Sequence, residues 1–452
     1  MPTAADTDLT RTQLWVASLA ILLVAAFLRL ASLGYESLWV DEFSTLRVSR
    51  AHLFDLPSVA AEGDSQPPLF YLLVKAFTYL GTNEVTARLT SAISGLVTIP
   101  ALGWVAARLS DRRAAVIAMG ILAVSPFHVW YSQEARAYAL LLFFLTLSVG
   151  FLVRTGGGHR TPGWAWIGFV ATTTLALYTH LMAMPFLVVQ LAVALWAGRR
   201  TEGPTPAYEI PMVSLEVDWR RTVLGQGVAL LIFLPQAVLL FRSAWLHYLL
   251  PPTSLFLEGS ARTYALSPMG ILELGVHVGY GLFTLVFGFS LGPSVRELHY
   301  MADTPWRGFF VPEVAVCCAL IAMVVGGTAR SMRSRNPLSQ AGLLWALVIM
   351  VSIPVAAFLA EVPRLAPRYL AVALPGLILG VAGGIAGEGG KWRRRGVSLS
   401  LLVALLIPLH QRHFPRYVKD DLRSAALHLI HQGSDETGAV LSTRTIAEPL
   451  RY

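Results

Sequence analysis

The chain has 452 residues, of which 55% are hydrophobic and only 14% are charged. A soluble globular protein carries charge on nearer a quarter of its residues, so that class is excluded, and intrinsic disorder is excluded with it. The net charge of +8 would suggest a nucleic-acid partner in a soluble protein, but here the basic residues sit in short runs between apolar stretches. They read as topology signals, and no nucleic acid is expected.

At about 20 residues per crossing, the apolar content supplies up to about a dozen helical spans. Stretches bounded by charge or by Pro and Gly run near 14–34, 84–107, 114–131, 136–153, 164–180, 182–198, 222–242, 309–328, 341–360, 369–386 and 397–411. The fold class is therefore an all-α polytopic membrane protein of about 11 transmembrane helices. The first stretch is long enough to span and lacks a small-residue cleavage site, so it is a span and not a cleaved signal.

With the N-terminus inside, the short segments 1–13, 108–113, 154–163, 199–221, 329–340 and 387–396 face the cytoplasm and hold 17 Lys/Arg against 8 acids. Everything else holds 18 Lys/Arg and 19 acids. The clusters Arg112-Arg113, Arg220-Arg221, Arg330/Arg333/Arg335 and Lys391/Arg393/Arg394/Arg395 then all obey the positive-inside bias.

The stretch 269–291 is apolar enough to cross but would break that parity, so it reads as re-entrant or as membrane-surface helices. Residues 1–412 form a transmembrane domain, with a first outer loop at 35–83 and an outer or re-entrant segment at 243–308. Residues 413–452 read as a short outer tail, starting with an amphipathic Leu422–Ile430 helix and an Ala439–Leu441 strand, too small to bury a core alone. Cys317 and Cys318 are adjacent and read as packing residues.

The unusual residues lie on the outer side. In Ser37-Leu38-Trp39-Val40-Asp41-Glu42-Phe43, two adjacent carboxylates stand beside a Trp at the membrane boundary. Like charge and partial burial split such a pair, and the member kept ionised can act as a general base toward a hydroxyl. The same residues also fit an interfacial aromatic and a helix cap. Ser65-Gln66-Pro67-Pro68 opens a helix of about 67–80, too short to span, lying along the leaflet with Lys75 snorkelling.

Ser125 to Tyr138 holds His128, Tyr131, Glu134 and Arg136 between two spans with almost no intervening loop. An unpaired charge is costly there, so Glu134 and Arg136 are either paired structurally or functional. His128 and His180 read as hydrogen-bonded core residues. Pro363-Arg364-Leu365-Ala366-Pro367-Arg368-Tyr369 places arginines on the outer side against the bias, where a guanidinium fork suits a phosphate or anchors the interface.

Taken in order, Trp39-x-Asp41-Glu42, Gln66-Pro67-Pro68, Ser125-Pro126-Phe127-His128 through Arg136, Tyr178-Thr179-His180 and Pro367-Arg368-Tyr369 resemble bacterial members of glycosyltransferase family 39. These are relatives of protein O-mannosyltransferases and of the lipid A aminoarabinose transferase. Residues 288–299 also resemble a motif of that subgroup.

The resemblance implies a GT-C fold and transfer of a hexose or pentose from a polyprenyl-phosphate donor to a lipid, glycan or protein acceptor. The reaction would occur at the extracytoplasmic face of a bacterial inner membrane. It further implies Asp41 as base with Glu42 as orienting neighbour, and Glu134 positioning the acceptor or sugar or serving as a secondary base. Arg136 and Arg368 would contact the donor phosphate, and Tyr369 the sugar or phosphate. Gln66, Tyr131 and His180 would belong to the same donor site, and Arg296, Glu297 and His299 to the lipid groove or a cover over it.

Two departures stand out: Gln66 occupies a place where relatives carry His or Lys, and the tail is shorter than theirs. No metal or other cofactor is expected, although Asp41, Glu42 and Glu134 could together present oxygen ligands to a divalent cation. A transporter or flippase of lipid-linked sugars is the rival reading. It would favour inverted repeats and midplane polar residues, which the sequence lacks. A non-catalytic scaffold is the third.

Overall fold

The computed structural model describes residues 9–156, 163–199, 217–249, 268–288, 326, 336–359 and 367–386. The predicted spans near 309–328 (but for Gly326) and 397–411, the two cysteines, Arg296, Glu297, His299 and the tail lie outside the described residues. Among the described residues every regular element is a helix.

α1 (Arg11–Leu30) leads into three short helices, α2 (Val40–Ser49), α3 (Leu56–Asp64) and α4 (Leu69–Thr78). Then come α5 (Glu84–Leu109), α6 (Arg112–Val124), α7 (Pro126–Ser132), α8 (Tyr138–Thr155), α9 (Gly163–Thr179), α10 (Ala183–Arg199), α11 (Trp219–Leu249), α12 (Pro268–Phe287) and α13 (Pro337–Leu359). A 3-10 helix, Pro367–Ala373, runs into α14 (Leu374–Ala386). Among the described residues six helices are long and apolar enough to cross a membrane, or seven if α6 and α7 form one broken span. The chain is a multi-pass membrane protein.

Local chemistry sets the helix starts. Thr10 and Gln13 form a reciprocal capping box on α1, with bonds of 3.0 and 3.2 Å. Asn83 accepts the Thr86 amide at 2.9 Å on α5, and Asp111 accepts the Ala114 amide at 2.7 Å on α6. α3 stops where Ser65 enters the left-handed region at φ 51°, turning the chain into Gln66-Pro67-Pro68.

α6 and α7 meet at 62°. Pro126 opens α7 without an N–H to give, and the carbonyls ending α6 find another donor. The buried Arg29 guanidinium of α1 donates to Leu122 O at 3.2 Å and Ala123 O at 2.9 Å, and lies 2.8 Å from His128 Nδ1. This fits the core role expected of His128.

α1 turns Trp15, Leu19, Leu23 and Phe27 outward, as lipid-facing positions would be. Inside, close approach and amide bonds replace the hydrophobic drive that lipid removes. Gly342 of α13 lies against Gly376 and Gly380 of α14 so closely that a Cβ would come within 2.4 Å of the Gly380 nitrogen. Gln190 of α10 donates to Ser148 of α8 at 3.1 Å and to Thr173 of α9 at 3.0 Å, and accepts from Gln226 of α11 at 3.1 Å.

Within the stretch read as re-entrant or as membrane-surface helices, Pro268–Phe287 form one helix, α12, lying against α7, the 3-10 helix and α13. Its sequence offers no Pro in the interior to break it, and Gly288 at φ +70° ends it against Pro126.

The α5–α6 junction with Arg108, Arg112 and Arg113, the end of α8 with Arg154 and the start of α11 with Arg220 and Arg221 gather at one end of the bundle. Arg112 there binds Leu9 O at 2.9 Å, and Trp166 of α9 binds Arg221 O at 3.3 Å. Asp41, Glu42, Asp64 and Glu134 gather at the other, linked through Arg88, Arg136 and the Ala135 amide.

Candidate active site

At that second end α1 hands over to α2, α5 and α8 begin, and α9 meets α10. Three side-chain clusters are built there.

The first is a buried clamp. Glu42, in the first turn of α2, is fully buried, and Arg88, in the second turn of α5, is 2% exposed. Arg88 Nε and Nη2 each meet a Glu42 carboxylate oxygen at 2.7 Å. Its other N–H groups donate to Leu33 O and Glu36 O at 2.9 Å and to Ser37 O at 3.0 Å. All five guanidinium donors are thereby used. Glu42 also accepts the Ala135 amide at 2.8 Å and the Trp39 amide at 3.3 Å.

The clamp fixes the neighbours of its own residues. Asp41 precedes Glu42, while Glu134 and Arg136 flank Ala135. Glu42, expected from sequence as an orienting neighbour of Asp41, has its oxygens engaged by Arg88 and two backbone amides.

The second cluster is the half-exposed pair Asp41–Arg368, with Nη1 to Oδ2 at 3.0 Å. The two side chains are 30% and 34% exposed. The Arg368 guanidinium also stands 5.9 Å over the Tyr369 ring. Sequence positions 327 residues apart are thus adjacent, because the 3-10 helix sits at the same end as α2.

The third cluster ties Arg136 to Asp64 at 2.7 Å, with the Tyr71 hydroxyl donating to the same Asp64 oxygen. Arg136 also reaches Asp41 O at 3.4 Å. Burial works against the Arg136 charge. The Asp64 carboxylate, with Tyr71, Tyr138 and Asp41 around it, more than offsets this and raises the guanidinium above its ordinary range. For Tyr71, burial and then Asp64 push the phenol well above its usual value.

Around these clusters, Glu134 is 2% exposed and accepts Trp130 Nε1–H at 3.1 Å. Tyr131 packs on Tyr138 at 4.8 Å between ring centroids, and Tyr138 on His180 at 5.2 Å. His180 Nδ1 accepts the Met182 amide at 3.0 Å. Gln66 Oε1 accepts the Leu181 amide at 3.4 Å, so it ties the first loop to the α9–α10 turn beside His180.

Asp41, Glu42, Gln66, Tyr131, Glu134, Arg136, His180, Arg368 and Tyr369 all lie at this end, whereas Arg296, Glu297 and His299 fall outside the described residues. Among the described residues no three His, Cys, Asp or Glu side chains gather as a metal site. Asp41, Glu42 and Glu134 have separate partners.

Sequence reasoning missed Arg88, Asp64 and Tyr71. Arg88 carried a signal, a basic residue just inside a span that is apolar beyond it. Asp64 sits two residues before Gln66 in the motif already singled out.

Residues 65–215 match the family model described as dolichyl-phosphate-mannose-protein mannosyltransferase. That range holds Gln66, Glu134, Arg136 and His180 but neither Asp41 nor Arg368. The chain superposes on ArnT from Cupriavidus metallidurans in the apo state with TM-score 0.58 at 16% identity, covering 98% of this chain and 85% of that one.

The chain has the GT-C fold.

Against the undecaprenyl-phosphate-bound ArnT the GT-C likeness has TM-score 0.53 at 18% identity, covering 98% and 74%. The archaeal oligosaccharyltransferase AglB from Archaeoglobus fulgidus, in complex with an inhibitory peptide and a dolichol-phosphate, gives TM-score 0.53 at 14% identity. The chain spans 58% of that protein and is itself 93% covered. No curated protein matches the sequence. The GT-C resemblance drawn from the ordered motifs is thus borne out by the family model and the fold.

Proposed function

We propose that this protein is an inverting glycosyltransferase that moves a sugar from a polyprenyl-phosphate donor to an acceptor hydroxyl, with Asp41 as general base. The observation that carries the reading is the Asp41–Arg368 pair: a carboxylate and a guanidinium, each about one-third exposed, side by side at the acid-bearing end of a membrane bundle. That end faces away from the clusters of Arg108, Arg112, Arg113, Arg154, Arg220 and Arg221. Under the positive-inside bias it is the extracytoplasmic side of the cytoplasmic membrane.

The step needs one base and one cation. The acceptor oxygen attacks the anomeric carbon while its proton passes to an Asp41 oxygen. The bond from that carbon to the phosphate oxygen breaks, and its electron pair stays on the phosphate. Because the phosphate leaves as an anion, no acid has to protonate it, and Arg368 balances the charge that builds there. A single displacement inverts the anomeric centre, unlike the double displacement of retaining glycosidases.

Glu134, nearly buried and flanking the clamped Ala135, is suited to holding the sugar or acceptor. Tyr369, Tyr131 and His180 are suited to lining the sugar side. Arg136, with its charge directed to Asp64, borders the site through Asp41 O.

The test is transfer of radiolabelled sugar from a panel of polyprenyl-phosphate sugars to envelope extract by purified protein in detergent. Wild type is expected to transfer label, and Asp41→Asn to lose about 10²- to 10⁴-fold in rate while still binding donor. Wild-type turnover by Asp41→Asn would remove Asp41 from the chemistry. Translocation of lipid-linked sugar in proteoliposomes without transfer would favour the flippase instead.

A further inference from the structure

Asp41 and Arg368 are assigned opposite tasks at the same moment of the reaction, one taking a proton and the other holding a phosphate. In the free protein they are bonded to each other at 3.0 Å. A carboxylate oxygen engaged by a guanidinium is occupied at the position where it would have to take a proton. An arginine neutralised by a carboxylate offers less to an incoming anion.

The other arginines near the site are already taken. Arg88 spends all five donors on Glu42 and three carbonyls. Arg136 is bonded to Asp64 and is 12% exposed. Arg136 and Arg368 each meet a carboxylate through a single nitrogen, but of the three only Arg368 and its partner are about one-third exposed, and the Arg368 Nε is buried without a hydrogen-bond partner. Its fork is therefore incompletely used by Asp41, whereas a phosphate with two free oxygens matches such a fork well.

We infer that Arg368 is a donor-operated gate on Asp41: it masks the carboxylate in the free protein and is drawn onto the phosphate when the lipid-linked donor binds, which releases the base. The inference rests on the transferase reading and says how that site is regulated. A site with no donor would hold a masked base, so an acceptor or water entering first meets no active carboxylate. When the sugar leaves, the phosphate gains a second charge and keeps Arg368 until the lipid phosphate departs and the pair closes again.

The exchange has a signature in binding alone. Undecaprenyl phosphate must compete with Asp41 for Arg368, so removing the Asp41 charge should tighten binding, although it destroys the base. Affinity for undecaprenyl phosphate is measured in detergent for wild type, Asp41→Asn, Arg368→Gln and the double variant, each checked for monodisperse elution. Asp41→Asn is expected to bind at least about threefold tighter than wild type. In the Arg368→Gln background the same change is expected to leave affinity within about 1.5-fold. Arg368→Met, which also removes the charge, gives the cycle a second background should Arg368→Gln fail to fold.

Unchanged affinity in Asp41→Asn would overturn the gate. So would equal tightening with and without Arg368, which would mean only that Asp41 repels the phosphate. Either result, with wild type still binding and transferring, leaves the transferase reading in place. Wild type that neither binds undecaprenyl phosphate nor transfers sugar would sink both.

Discussion

Arg88 grips Glu42 with two parallel bonds of 2.7 Å, from 46 residues further along the chain and with both side chains sealed from solvent. Removing one partner of such a pair leaves a buried charge unanswered, which costs about 3–5 kcal/mol. Arg88→Met is accordingly expected to lower the unfolding midpoint in detergent by far more than a surface change does. Arg88→Lys should recover only part, since one ammonium cannot span two carboxylate oxygens and three carbonyls. A midpoint unchanged in Arg88→Met would show that the clamp does not stabilise the fold.

Tyr71 should betray itself at alkaline pH. Its phenol is held protonated by burial and by Asp64, so its folded pKa lies above the ordinary 10.0. The sign follows: the stabilisation is complete below pH 10 and is lost as pH rises toward the folded value, where the unfolded chain releases the proton first. Thermal midpoints between pH 8 and pH 11 are expected to hold and then decline. In Tyr71→Phe the decline should be shallower, and an identical slope would separate Tyr71 from the alkaline loss.

Gly95 of α5 carries α7 at close range. A Cβ there would fall 2.1 Å from Ser132 Oγ and 2.8 Å from Ser132 Cβ, and Ser132 donates to His128 O at 2.6 Å. Gly95→Ala is expected to cost about 1–3 kcal/mol by overpacking and to reduce transfer by displacing α7, which leads straight into Glu134. Ser132→Gly makes room, so the double variant should regain both stability and transfer. If it recovered neither, the contact would not be the cause.

Much of this architecture was written in the chain. The helices at 84–109, 138–155, 219–249 and 337–359 follow from apolar length alone, and the gathering of Arg112, Arg154 and Arg220 at one end follows from spacing. Asp41, Glu134, Arg136 and Arg368 stood out because charge beside a membrane span is costly and therefore conspicuous.

What stayed hidden was pairing. Nothing in spacing says that Glu42 turns to Arg88 while its neighbour Asp41 turns to Arg368, or that Arg136 is bound to Asp64, because each bond joins segments brought together by the packing of other helices. The break at Ser125-Pro126 was also unread, since the apolar run continues through it and only Arg29, far upstream, supplies the donors that make it tolerable.

The Gln190 amide has a bearing on how the protein is made. Its nitrogen is satisfied by Ser148 and Thr173, which lie on helices synthesised before it, whereas the bond to its oxygen comes from Gln226, on the helix synthesised after it. A bundle of α8, α9 and α10 without α11 would therefore leave the Gln190 oxygen without this donor. α11 thus completes a polar seam whose other members all stand earlier in the chain.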